Sequence, residues 1–192
     1  MPFNLPIFLT WLRILLIPLL AGVYYLPNDF LSINEKNLLA TLIFIVAALT
    51  DWFDGFLARR LKQTSAFGAF LDPVADKLMV MSALIVLLML GRVSPLIAIV
   101  IIGREITISA LREWMAQLGA TKSVAVNSLG KIKTTAQMLA IPFLLLDKTL
   151  SSWLDTLQIG TWLIYVAALL TVVSMLYYLK LAMPKIRERS SM

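Results

Sequence analysis

The sequence predicts an all-α, polytopic membrane protein with six transmembrane helices around a cytoplasm-facing polar cavity. Composition is the first reason. The 192 residues are 60% hydrophobic and only 15% charged, with mean hydropathy +0.87, whereas a soluble domain is about half apolar and a quarter charged. The second reason is spacing, because six apolar stretches approach the roughly 20 residues that a helix needs to cross hydrocarbon. The third is the placing of charge, since four of the eleven acids crowd into residues 51–76.

The first predicted span covers about 7–26, after a short interfacial lead at about 1–6, and Pro18 is expected to bend it. The second runs from about 36 to 60 and ends in the acidic stretch. The third covers about 68–90 and stops at Gly91-Arg92. The fourth, about 94–118, opens at Ser94-Pro95 and carries Arg104, Glu105, Arg112 and Glu113. The fifth, about 127–146, holds Lys131 and Lys133 in its first turns. The sixth, about 157–182, is expected to end before Pro184, leaving a basic tail at about 184–192. Strand-type alternation, low-complexity linkers and clear repeats are absent, so residues 1–192 read as one domain.

Several function classes drop out on composition. Without cysteine or histidine, the chain has no disulfide, thiolate nucleophile, Cys/His zinc site or histidine base. No basic n-region or small-residue cleavage site marks a secretory signal. The net charge of +6 fits anionic lipid headgroups and the positive-inside bias, and no basic run with interleaved aromatics points to nucleic acid. Placing the N-terminus inside leaves Lys36, Arg92 and Lys148 outside. The other fourteen of seventeen Lys/Arg then fall on or toward the inner side, which puts both termini and the acidic stretch on the cytoplasmic face.

Within that stretch, Asp51 and Asp54 are three residues apart, and Asp72 and Asp76 are four apart. Each pair shares one helix face. Ionised carboxylates in an apolar helix need a cavity, a partner or a cation, and hard oxygen donors suit Mg2+, Mn2+ or Ca2+. Gly55 and Ala58 lack bulk on the Asp54 side, leaving room for a flat nucleotide, and Arg59 offers phosphate a two-pronged fork. Gly68 permits close approach or a turn between helices. One or two bound metals would neutralise a pyrophosphate and stabilise its departing half. With no histidine, an aspartate is the expected base.

Written with gaps, the stretch is D-x2-D-G-x2-A-R-x8-G-x3-D-x3-D, filled by Asp51, Asp54, Gly55, Ala58, Arg59, Gly68, Asp72 and Asp76. It resembles the signature of the CDP-alcohol phosphotransferases at all eight positions. The resemblance implies that Asp51, Asp54 and Asp72 ligate metal. It makes Asp76 the general base, in reach of a second ion, so that two Mg2+ or Mn2+ ions are expected. It assigns Gly55, Ala58, Arg59, Gly68 and Ser65 to CDP binding, and it implies a dimer of six-helix protomers. Beyond the signature, Asn4, Thr10, Arg13 and the segments 104–116 (REITISALREWMA) and 130–138 (GKIKTTAQM) resemble members that join sn-glycerol 3-phosphate to CDP-diacylglycerol and release CMP. That acceptor is a dianion, and Arg104, Arg112, Lys131 and Lys133 are the candidates to bind its phosphate.

Blander readings stand beside these. Arg104 and Arg112 have acidic neighbours and suit structural ion pairs. Lys131 and Lys133 suit headgroup anchors, as do Arg60 and Lys62. Arg13 either snorkels to the interface or reaches the nucleotide. Trp11, Trp52, Trp114, Trp153 and Trp162 fit an interfacial belt, and the nine methionines fit packing. Three competing functions remain at this stage: another CDP-diacylglycerol transferase with an inositol phosphate, serine or phosphatidylglycerol acceptor, a divalent-cation transporter, and a purely structural membrane protein.

Overall fold

A computed structural model describes residues 5–61, 66–117, 128–151 and 154–190. Six long α-helices make up nearly all of it: α1 (Leu5–Gly22), α2 (Ile33–Leu61), α3 (Ala66–Met89), α4 (Pro95–Gln117), α5 (Ser128–Leu146) and α6 (Thr156–Ser190). A single 3-10 turn, Val23–Tyr25, extends α1.

The helices form where the apolar stretches predicted them, and the differences lie at their ends. Leu5 and Pro6 already belong to α1, ahead of the predicted start at about 7, and the rest of the expected interfacial lead lies outside the described residues. The sixth helix does not stop before Pro184. It continues to Ser190, so most of the expected basic tail is helical. Helices also pass through Pro18, Pro73 and Pro142. Each proline forfeits one backbone bond, which a long helix with packed neighbours absorbs. Between α5 and α6 two short strands, Thr149–Ser151 and Leu154–Asp155, pair antiparallel. They are too brief for periodicity to reveal.

Three of the six helices are apolar and long enough to cross a membrane by composition: Ile7–Tyr25, Ile33–Asp51 and Thr156–Leu181. The chemistry of the candidate site separates the others from this group. Helix α3 carries Asp72, Asp76 and Lys77, and α4 carries Arg104, Glu105, Arg112 and Glu113. The apolar stretch of α5, Ile132–Leu146, is shorter. The helices bury one face and leave large apolar residues outward on the other, among them Leu15, Ile99, Trp162 and Leu169. Apolar surface on both faces marks a protein immersed in lipid.

The main core joins all six helices around Leu20, Phe44, Leu84, Leu87, Ile101, Ile141 and Ile164. A smaller cluster, Ile108, Leu111, Met115 and Tyr178, ties α4 to α6. The most extensive pairing is α5 with α6, followed by α1 with α2 and with α3. Gly160 permits the α5–α6 approach, because a Cβ there would lie 2.7 Å from Leu144 Cγ and 3.0 Å from its backbone nitrogen.

At the end of the bundle away from the acids, two cations are absorbed by backbone. Arg92 donates to the carbonyls of Leu144 (3.0 Å) and Leu145 (2.8 Å) at the end of α5 and to Asn37 (3.1 Å), and it pairs with Asp147 at 2.9 Å. Lys36 donates to the Leu26 carbonyl (2.6 Å) and to Asn28 (2.7 Å). The last carbonyls of a helix lack internal partners, so these side chains act as caps. Gly160→Val is expected to force α5 and α6 apart at a cost of about 1–3 kcal/mol, read as a lower unfolding temperature in detergent.

Candidate active site

Helix α1 supplies two polar residues one turn apart, Thr10 and Arg13, both buried. Thr10 Oγ1 donates to Asp72 Oδ1 on α3 at 2.6 Å. Arg13 Nη1 lies 3.2 Å from Asp51 Oδ1 on α2 and pairs with Asp76 on α3. Two donors on one helix thus serve three carboxylates on two others. A fully buried guanidinium is costly unless compensated by charge and hydrogen bonds. The acids supply that compensation, and Arg13 relieves their mutual repulsion.

Asp51 and Asp76 line a cavity of about 240 Å³, with Lys77 of α3, Glu105 of α4, and Lys133 and Gln137 of α5 among the other walls. Lys133 is 1% exposed and is bonded to Glu105. Glu105 also sits 3.6 Å from Arg104 Nη1. Lys77 bonds to Ser109 on α4. The cavity therefore has an acidic wall from α2 and α3 and a cationic residue facing it from α5.

The predicted phosphate-binding residues separate into two groups. Lys133 lines the cavity. Arg104 and Arg112 face Tyr178 of α6, with guanidinium carbons 5.9 and 5.3 Å from its ring centre. Arg104 donates to Ser174 at 3.1 Å, and Arg112 to the Tyr178 hydroxyl at 3.4 Å. Arg104 joins the cavity through Glu105, while Arg112 is one step further back. The ion pairing considered for Arg104 is present, but its acid is shared with Lys133. Each arginine keeps a buried Nε with no hydrogen-bond partner.

Asp54, Gly55, Ala58 and Arg59 lie on α2, and Lys131 lies on α5; their side chains fall outside the described atoms, and Ser65 lies outside the described residues. Gly68 is buried on α3. Among the described residues, no group of three or more acids gathers closely enough to hold a metal ion. The donor chemistry nonetheless fits one. Carboxylate oxygens from α2 and α3 lie against a single guanidinium nitrogen, and oxygens converging on one cationic point are what a hard divalent ion requires.

Sequence reading left Arg13 undecided, offered Glu105 only as an ion-pair neighbour of Arg104, and gave no role to Lys77, Gln137 or Tyr178. A signal existed for Glu105 and Gln137, since both are polar residues in otherwise apolar helix faces. Nothing in the local sequence tells which cation Tyr178 faces.

An acidic wall, a buried arginine and a lysine meet at one cavity inside an apolar helical bundle. The sequence profile of the CDP-alcohol phosphatidyltransferases matches residues 3–173, and the chain belongs to that family. A CDP-diacylglycerol–glycerol-3-phosphate 3-phosphatidyltransferase from Haemophilus influenzae is 49% identical over 184 residues, covering 95% of both chains. Proteins of the same name from Escherichia coli and Salmonella choleraesuis are 50% identical over 184 residues, covering 95% of this chain and 96% of theirs. The family is generally dependent on a divalent metal. Membership in a transferase family displaces the transporter and purely structural readings.

Replacing Arg13 with Met should leave Asp51 and Asp76 facing each other without their shared cation. Turnover is expected to fall at least about tenfold, and the unfolding temperature should fall more in chelator than in Mg2+. Both are measurable on detergent-solubilised protein.

Proposed function

We propose that this chain transfers the phosphatidyl group of CDP-diacylglycerol to sn-glycerol 3-phosphate, giving phosphatidylglycerophosphate and CMP. This is the first committed step toward phosphatidylglycerol and cardiolipin. The observation that carries the reading is that Asp51, Asp76 and Lys133 line one and the same cavity. Donor and acceptor are both phosphate compounds, and the two walls suit the two ends of such a reaction.

Asp51, Asp54 and Asp72 would hold Mg2+ or Mn2+, with Asp76 in reach of a second ion, supplying charge neutralisation for the pyrophosphate and its leaving half. Gly55, Ala58, Arg59, Ser65 and Gly68 form the CDP subsite. Lys133 takes the acceptor phosphate, leaving Glu105 to its other neighbour, Arg104. Arg104, Arg112 and Lys131 contribute positive potential to the same end. Asp76 removes the proton from the C1 hydroxyl of the acceptor. The freed oxygen forms a new bond to the phosphorus bearing diacylglycerol, the bond from that phosphorus to the oxygen bridging to CMP breaks, and CMP leaves with the bonding pair.

The acyl chains remain in the bilayer throughout and reach the cavity between helices. In this reading all six helices span the bacterial cytoplasmic membrane. Both termini and the cavity face the cytoplasm, where CDP-diacylglycerol meets a soluble acceptor, and two copies associate as a homodimer.

The test is CMP release from CDP-diacylglycerol with glycerol 3-phosphate, inositol phosphate, serine or phosphatidylglycerol as acceptor, with and without Mg2+ or Mn2+. Release with glycerol 3-phosphate and a divalent ion is expected. Release with another acceptor instead would reassign the enzyme within its family. Asp76→Asn should lower turnover by roughly 10²–10⁴-fold while keeping CDP binding, and substantial residual synthesis would remove Asp76 from the base role.

A further inference from the structure

Gln137 sits in the cavity with no task in the chemistry above. It is 3% exposed, it lines the space shared by Asp76 and Lys133, and its carboxamide oxygen is buried without a hydrogen bond. Leaving a buried amide oxygen unpaired costs free energy, so the residue is poorly explained as packing. Leucine would fill the space without that cost. The two ends of a carboxamide are interchangeable by rotation, so the side chain can present either a donor or an acceptor. The natural complement to such a group is an alcohol, which both donates and accepts.

Its position along α5 gives the alcohol an address. Gln137 follows Lys133 by four residues, on the same helix face and about 6 Å along the axis. A phosphate held at Lys133 would place a short polyol chain along this face toward Asp76. The C1 hydroxyl is consumed by the reaction, which leaves the C2 hydroxyl for the amide.

We infer that Gln137 is a specificity-determining residue that hydrogen-bonds the C2 hydroxyl of the acceptor, one helical turn from the lysine that holds its phosphate. The inference rests on the acceptor being glycerol 3-phosphate. A site built to bond a hydroxyl discriminates against an analogue lacking it, because the analogue leaves the protein group unpaired. An apolar replacement bonds neither compound and so loses the distinction.

The experiment compares sn-glycerol 3-phosphate with 3-hydroxypropyl phosphate, which keeps the phosphate and the reacting primary alcohol but lacks the C2 hydroxyl. The native enzyme is expected to prefer glycerol 3-phosphate in kcat/KM by on the order of tenfold or more. In Gln137→Leu that ratio should fall toward one through loss on glycerol 3-phosphate, with KM for CDP-diacylglycerol unchanged. Gln137→Glu, which keeps an acceptor for the hydroxyl, should preserve more of the preference than Leu. A purely structural role would lower both acceptors equally and leave the ratio intact, which overturns the inference. A native enzyme that does not distinguish the two compounds also overturns it, whether or not the variants fold. Failure of the native enzyme to use glycerol 3-phosphate at all would instead refute the assigned reaction, so the two failures are distinguishable.

Discussion

The ion pairs of Arg13 constrain more of this molecule than any other contact. A guanidinium with no access to solvent, set in the first helix of a membrane protein, is tolerable only while acids stand against it. Asp51 and Asp76 do so from two different helices, and Thr10, one turn earlier, fastens Asp72 as well. The relative placing of α1, α2 and α3 is therefore tied to the electrostatics of the site. Moving any one of them leaves either a buried cation or a pair of facing carboxylates without compensation. The same demand explains how several acids can coexist in an apolar bundle before any substrate arrives.

The opposite wall is built on a different plan. Lys133 meets its counter-ion across a helix pair, and Glu105 divides its charge between Lys133 and Arg104. Tyr178 then backs both Arg104 and Arg112 with the face of its ring, which lets two like charges lie close together without a second acid. Excess positive charge is held in reserve rather than cancelled. A dianionic acceptor can exploit that reserve, whereas a cationic alcohol would find it repulsive.

Much of this was legible in the residues. Six helices follow from six apolar stretches, and the acidic motif with its eight matched positions is enough to identify the family. What the sequence hid has physical causes. A hydropathy count treats Asp72, Asp76, Arg104 and Glu105 as penalties, so α3 and α4 look less like membrane spans than α1, α2 and α6. The partners of Arg13 lie 38 and 63 residues away in the chain, and no local pattern encodes that pairing. Arg104 and Arg112 share a face with Lys133 only in the sense of a common end of the bundle. Their side chains turn to an aromatic on α6 that no motif announces. Pro184 reads as a helix stop because its ring disrupts the preceding turn, yet α6 runs through it to Ser190.

The arrangement of Arg92 bears on how such a chain enters the bilayer. On the proposed topology α3 and α4 insert as a hairpin whose turn is at Gly91, and residues 78–103 between their charged ends contain only one ionisable side chain, Arg92. That single cation is all the translocation machinery must carry across with the turn. Its resting place, however, is made by the last carbonyls of α5 and by Asp147, which are synthesised some fifty residues later. Until then Arg92 has Asn37 of α2 and the turn has its own backbone bonds, and the arrival of α5, which also brings Lys133 to Glu105, completes the set of partners that fastens the hairpin.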